Sequence, residues 1–107
     1  MTAPSLYRQC QTAGIRLVPD GNGIVFDAPA GVAVPVEEIR HRKSELLAML
    51  RGDYTSAAAA LLLKVEDPEE REELAYLFDE RAGICQYEGG MSRPEAERQA
   101  YLELVDA

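Results

Sequence analysis

Pro19-Asp20-Gly21-Asn22-Gly23 restricts this chain more than any other five residues in it. Proline fixes φ, Asp and Asn accept local turn geometry, and Gly takes positive φ without a Cβ clash, so the chain must reverse here. Short alternating runs flank the reversal, Ile15-Arg16-Leu17-Val18 before it and Ile24-Val25-Phe26-Asp27 after it. Together they read as a β-hairpin with Ile15, Leu17, Ile24 and Phe26 facing a core and Val18 and Val25 facing away. Two strands alone are not stable in water, so helices must cover the inward face.

The flanking segments supply those helices. Ser5 reads as an N-cap, Leu6, Gln9, Cys10 and Ala13 share one face of a helix over Leu6–Ala13, and Gly14 stops it. After the hairpin, Ala28-Pro29-Ala30-Gly31 ends the second strand, because Pro29 cannot donate to a ladder. Pro35 suits the first turn of a helix, and Glu37 and Glu38 near its start and Arg51 near its end complement the helix dipole. Val36, Ile39, Lys43, Leu46, Leu47 and Leu50 recur at helical spacing, and Gly52 closes the run. The pattern predicts one continuous helix of about 24 Å at ~1.5 Å per residue, long enough to span the hairpin.

Charge divides the chain at the same glycine. Residues 1–52 hold five acids against six bases, a balance of +1, whereas residues 53–107 hold fourteen against five, a balance of −9. A domain boundary is therefore expected at Gly52-Asp53, with a first domain over 1–52 and an acidic helical extension over 53–107. In that extension the run Ala57–Leu63 favours helix, since Ala and Leu are strong helix formers. Asp67-Pro68-Glu69-Glu70 starts a second helix whose face is Leu74, Leu77, Phe78, Arg81 and Cys85, and Glu88-Gly89-Gly90 breaks it. Ser92-Arg93-Pro94-Glu95 opens a last helix with an apolar stripe of Ala96, Ala100, Tyr101, Leu104 and Val105. The expected fold class is α+β: an α-β-β-α domain followed by the acidic helical extension.

No enzyme signature emerges. Cys10 and Cys85 have no CxxC spacing, and the single His41 has no companion ligand, so both cysteines read as reduced, half-buried side chains with no metal role. Glu69-Glu70, Glu72-Glu73 and Asp79-Glu80 are adjacent on helices and diverge by about 100°, which makes them solvated faces rather than catalytic pairs. Gly21-Asn22-Gly23 is followed by neither a lysine nor a helix start, as a phosphate loop requires. Catalytic residues, cofactors and metal ligands are therefore expected to be none. The sequence has no apolar run of about 18 residues that could span a membrane. Its first residues, MTAPSLYRQCQ, lack the basic start and apolar core of a secretory signal, so the expected location is cytoplasmic.

The first half resembles the N-terminal docking domain of the TubC type. The residues that carry the likeness are the short helix Leu6…Ala13, Gly14-Ile15-Arg16-Leu17, Asp20-Gly21-Asn22-Gly23, Ile24–Asp27, Ala28-Pro29-Ala30-Gly31 and His41-Arg42-Lys43-Ser44-Glu45-Leu46-Leu47. The resemblance implies a module that takes a short C-terminal segment of a preceding synthase subunit alongside its hairpin. An acidic helical pattern follows here in place of a synthetase domain. Arg81–Leu104 in turn resembles a tail of small bacterial phage, plasmid and integrative-element proteins, some linked to replication. The implied setting is therefore a mobile element rather than an assembly line.

The residues themselves point to interaction. Exposed sheet edges accept an added strand unless covered or charged, and Ile24-Val25-Phe26 is a plain template with Arg16 and Asp27 at its ends. The expected partner-binding residues are Arg16, Val18, Ile24, Val25, Phe26 and Asp27 on the hairpin, with Arg40, Arg42 and Lys43 on the main helix favouring an acidic segment. The expected partner is a protein or short acidic peptide, with no membrane, and the same edge could join two copies as a homodimer. An alternative is a replication-associated accessory protein contacting nucleic acid through Arg40–Lys43 and Arg16, which the acidic second half opposes. Another is a phage-type inhibitor whose acidic helices mimic DNA or block a host protein.

Overall fold

The computed structural model describes residues 2–106. Among them, six helices and one two-stranded antiparallel sheet make an α+β fold in the order α1 (Ala3–Thr12), β1 (Arg16–Asp20), β2 (Gly23–Asp27), α2 (Val36–His41), α3 (Lys43–Leu50), α4 (Tyr54–Leu62), α5 (Pro68–Tyr87) and α6 (Arg93–Val105).

α1 starts earlier than the sequence suggested. Thr2, not Ser5, is its N-cap, and the Thr2 side chain accepts the Ser5 backbone N–H at 3.2 Å. Pro4 sits in the first turn, where a missing N–H costs nothing. At the other end Gly14 has φ +78°, its N–H reaches the Gln11 carbonyl at 3.0 Å, and the Ile15 N–H reaches Cys10 at 2.8 Å. That pair of bonds is a Schellman ending, and it delivers Ile15 buried into the core at the mouth of β1.

The hairpin register is Arg16↔Asp27, Leu17↔Phe26, Val18↔Val25, Pro19↔Ile24 and Asp20↔Gly23. Only Gly21 and Asn22 lie in the loop. Gly21 has φ +57° while no non-glycine among the described residues, Asn22 included, has positive φ, which defines a type II′ turn with Gly at its first central position. The Arg51 guanidinium donates to the Gly21 carbonyl and ties the loop to the end of α3.

The predicted single helix over 35–51 is instead two. Arg42 takes φ −109°, ψ 20°, ending α2 and opening α3, although its N–H still reaches the Glu38 carbonyl at 3.1 Å. A second difference accompanies the first. The sequence reading treated the segment as one-faced, with Lys43 in the apolar stripe, but Lys43 is exposed and Glu45, Leu46 and Leu47 are buried in succession. Three consecutive buried residues sweep an arc too wide for one face, so α3 must be covered on more than one side.

Two apolar clusters do the covering. The first gathers Leu6, Cys10, Ile15, Leu17, Ile39 and Leu46 between the hairpin and α1–α3. The second gathers Ala57, Ala58, Phe78, Ala82, Ala100 and Tyr101 from α4, α5 and α6. Met49 packs against both, and Ala48 against the second. The radius of gyration of 14.9 Å exceeds the roughly 13 Å of a single compact core of this length, as two cores side by side require.

Two helices of the second half start as read, at the N-caps Asp67 and Ser92, which accept the N–H of Glu69 and Glu95; the N-cap of α4, Asp53, which accepts the Ser56 N–H, is a start the sequence reading does not name. Asp53 also accepts the Ser56 hydroxyl at 2.6 Å, and these bonds hold its carboxyl below the usual range. Arg71 reaches back to the carbonyls of Leu62, at 3.1 Å, and Val65, closing the connection between α4 and α5. Arg81 grips Glu103 with two bonds of 2.5 and 3.1 Å across α5 and α6. The α5 stripe differs from expectation, since Phe78, Ala82 and Cys85 are buried but Leu77 and Arg81 are exposed. Cys10 is likewise fully buried rather than half-buried, and burial pushes its thiol up. Both cysteines are free.

Candidate interaction surface

The hairpin presents two different faces. Leu17 is buried and Ile24 half-buried against the first core, while Val18 is 40% and Val25 53% exposed on the opposite face. Phe26 departs from the expected inward position. It shares the Leu17 face but is 41% exposed, because it lies on β2 near the strand end, beyond the first core cluster. A large apolar ring is thus left on the outer strand beside Asp27.

The register also determines which backbone groups are free. With a two-residue loop, the flanking pair Asp20 and Gly23 bond to each other, and alternation makes Val18–Val25 and Arg16–Asp27 the next bonded pairs. Val25 therefore spends its N–H inside the hairpin. Ile24 and Phe26 are the residues of β2 whose N–H and C=O point outward, and Leu17 and Pro19 hold the outer positions of β1. Pro19 has no N–H, so its outer position leaves no donor wanting a partner.

The expected basic cluster is partly engaged. Arg40 pairs with Glu37 at 3.5 Å on the exposed side of α2. Arg42 turns inward, 3.8 Å from Glu38, and its buried Nε has no hydrogen-bond partner among the described residues. It does not stand with Arg40 as an open contact. Lys43 is free of ion pairs among the described residues and lines a hollow of about 420 Å3 beside the hairpin loop, with Asn22, Ser44 and Arg51. Arg16 and Asp27 face each other at the open end of the hairpin, both exposed. The sequence-predicted residues thus fall into a hairpin group and a separate helix group, of which Arg42 is largely internal.

One constellation was not anticipated. Glu45 is 1% and Tyr101 0% exposed, and the Tyr101 hydroxyl donates to Glu45 Oε1 at 2.5 Å. Glu45 Oε2 is buried without a hydrogen-bond partner among the described residues. Burial, reinforced by the Glu45 carboxylate, raises the Tyr101 hydroxyl far above its ordinary range, with Arg42 acting in the opposite sense. The Tyr101 ring stacks at a tilt on Tyr54, centroids 5.8 Å apart. Nothing in the spacing of Glu45 distinguishes it from a surface acid, so only the bilateral covering of α3 reveals it.

Among the described residues no group of three or more His, Cys, Asp or Glu side chains converges, and no helix is long and apolar enough to cross a membrane. His41 is exposed at the end of α2. No protein-family model, curated protein or solved structure matches this chain.

Proposed function

We propose that this protein is a non-enzymatic docking or adaptor module that receives an extended partner segment along the outer edge of β2. The observation that carries the reading is the unpaired outer edge of β2, where Ile24 and Phe26 direct their backbone groups outward and Phe26 leaves its ring uncovered. An added strand would satisfy those groups in register and pack an apolar side chain on Phe26. The order α1-β1-β2-α2-α3 fits the docking-type architecture that the TubC-like motifs imply, with the main helix bent at Arg42. Lys43 and Arg16 favour an acidic partner segment, and the mobile-element or phage setting rests on the resemblance of Arg81–Leu104. The engagement of Arg40 and Arg42 by carboxylates, together with the −9 balance of residues 53–107, weighs against a nucleic-acid surface.

The test is a selection of extended peptides against the immobilised protein, followed by affinity measurement on two variants. Phe26→Pro removes an outward N–H without touching the inward ladder and should reduce binding of selected peptides by about tenfold or more, with circular dichroism unchanged. Phe26→Ala keeps the N–H and should lose only part of the affinity. Selected peptides whose binding ignores Phe26→Pro would exclude strand addition at this edge.

A further inference from the structure

A cleft of about 480 Å3 opens where α1, the end of α3, the start of α4 and α6 meet. Its half-buried lining includes Tyr7, Met49, Tyr54 and Leu102, and the exposed Arg8 and Arg98 flank it from α1 and α6. The volume falls within the roughly 300–1,000 Å3 of sites for small ligands. The cleft also lies at the seam between the two cores: Tyr7 packs on the first, Tyr54 and Leu102 on the second, and Met49 on both.

Its charge runs against the rest of the molecule. The chain carries 19 acids and 11 bases, yet no Asp or Glu lines this cleft, which holds two arginines. Neither Arg8 nor Arg98 has an ion-pair partner among the described residues, whereas Arg40, Arg42, Arg81 and Arg93 are all paired. Tyr54 is steadied by the buried Tyr101 ring, so one wall of the cleft is fixed before anything enters.

We propose that this cleft binds a small amphipathic organic anion, a carboxylate on an aliphatic or aromatic body. Arg8 and Arg98 supply charge-assisted hydrogen bonds to the carboxylate. Met49, Leu102 and the rings of Tyr7 and Tyr54 receive the apolar body. The occupant bridges the two cores and therefore stabilises the native state as its concentration rises.

The experiment titrates the labelled full chain with octanoate and 3-phenylpropionate, each matched with its neutral alcohol and with inorganic phosphate, and follows backbone amide shifts. The carboxylates should shift Tyr7, Met49, Gly52, Tyr54 and Leu102 and raise the melting temperature, and the alcohols should bind about fivefold weaker or less tightly still. Arg8→Gln and Arg98→Gln should each weaken the carboxylates by about fivefold, and the double variant should abolish binding while melting unchanged in the absence of ligand. Phe26→Pro should have no effect, which separates this site from the hairpin edge. Alcohols binding as tightly as carboxylates would reduce the site to a greasy crevice. Phosphate binding as tightly as the carboxylates would reduce it to a general anion trap. Shifts elsewhere in the chain, or binding indifferent to Arg98→Gln, would likewise overturn the assignment.

Discussion

Replacing Tyr101 by Phe removes one oxygen atom from the interior and nothing else. Among the described residues that oxygen is the one hydrogen-bond partner of the Glu45 side chain, which is 1% exposed and whose Oε2 has none. A hydrogen bond to a charged group is worth about 1.5–3 kcal/mol, and a buried charge left without any partner costs more than the lost bond alone. Tyr101→Phe should therefore destabilise the fold by about 3 kcal/mol, or roughly 10–20 °C in melting temperature for a chain of this size. Glu45→Leu alone strands the hydroxyl instead and should cost about 1–3 kcal/mol. The double variant removes both polar groups, and its loss should fall short of the sum of the singles by about 1–3 kcal/mol. Urea unfolding of the four proteins measures this coupling directly. The alkaline limb offers an independent check. Tyr101 holds its proton in the folded state above the ordinary tyrosine value of 10.0. As pH climbs past 10.0 the unfolded chain releases that proton while the folded chain keeps it, so stability falls with rising pH. Tyr101→Phe should flatten this fall. A loss below about 0.5 kcal/mol, or a double variant that is strictly additive, would refute a coupled buried pair.

Hydrogen exchange tests the hairpin register: the Val18 and Val25 amides should be protected and those of Ile24 and Phe26 should exchange nearly as fast as free amides, the reverse order being evidence for a one-residue slip. Asp53→Ala should cost about 1 kcal/mol through loss of the α4 cap, measured by chemical unfolding. Because the Asp53 carboxyl is held below its ordinary value of 3.8, the wild-type cap is fully present above that pH and is lost on further acidification, so the two proteins should converge in acid.

Much of the first half was legible because its signals are local. The turn residues Asp20–Gly23, the stop at Gly14 and the alternation of Ile15 and Leu17 each act through their own backbone or neighbours, and the hairpin follows from them. The caps at Asp67 and Ser92 were readable for the same reason. What escaped depends on distant parts of the chain. Phe26 looked inward because alternation gives a face but not where coverage ends. The burial of Glu45 comes from α4–α6 packing on the far side of α3, and neither it nor the break at Arg42 is recorded by the periodicity within 35–51. Arg8 and Arg98 drew no attention, since 90 residues separate them in the chain and only the fold brings them to one cleft.

Pro19 has a consequence for assembly. The outer margin of β1 offers Leu17 as its sole strand donor, whereas β2 offers Ile24 and Phe26. A second molecule that paired its own β2 with this one would close a four-stranded sheet about a two-fold axis, leaving the proline-bearing margins outermost. Growth would stop at the pair. Pairing of two copies through β2 would in this way leave outermost only margins short of a donor, a poor template for a fibre.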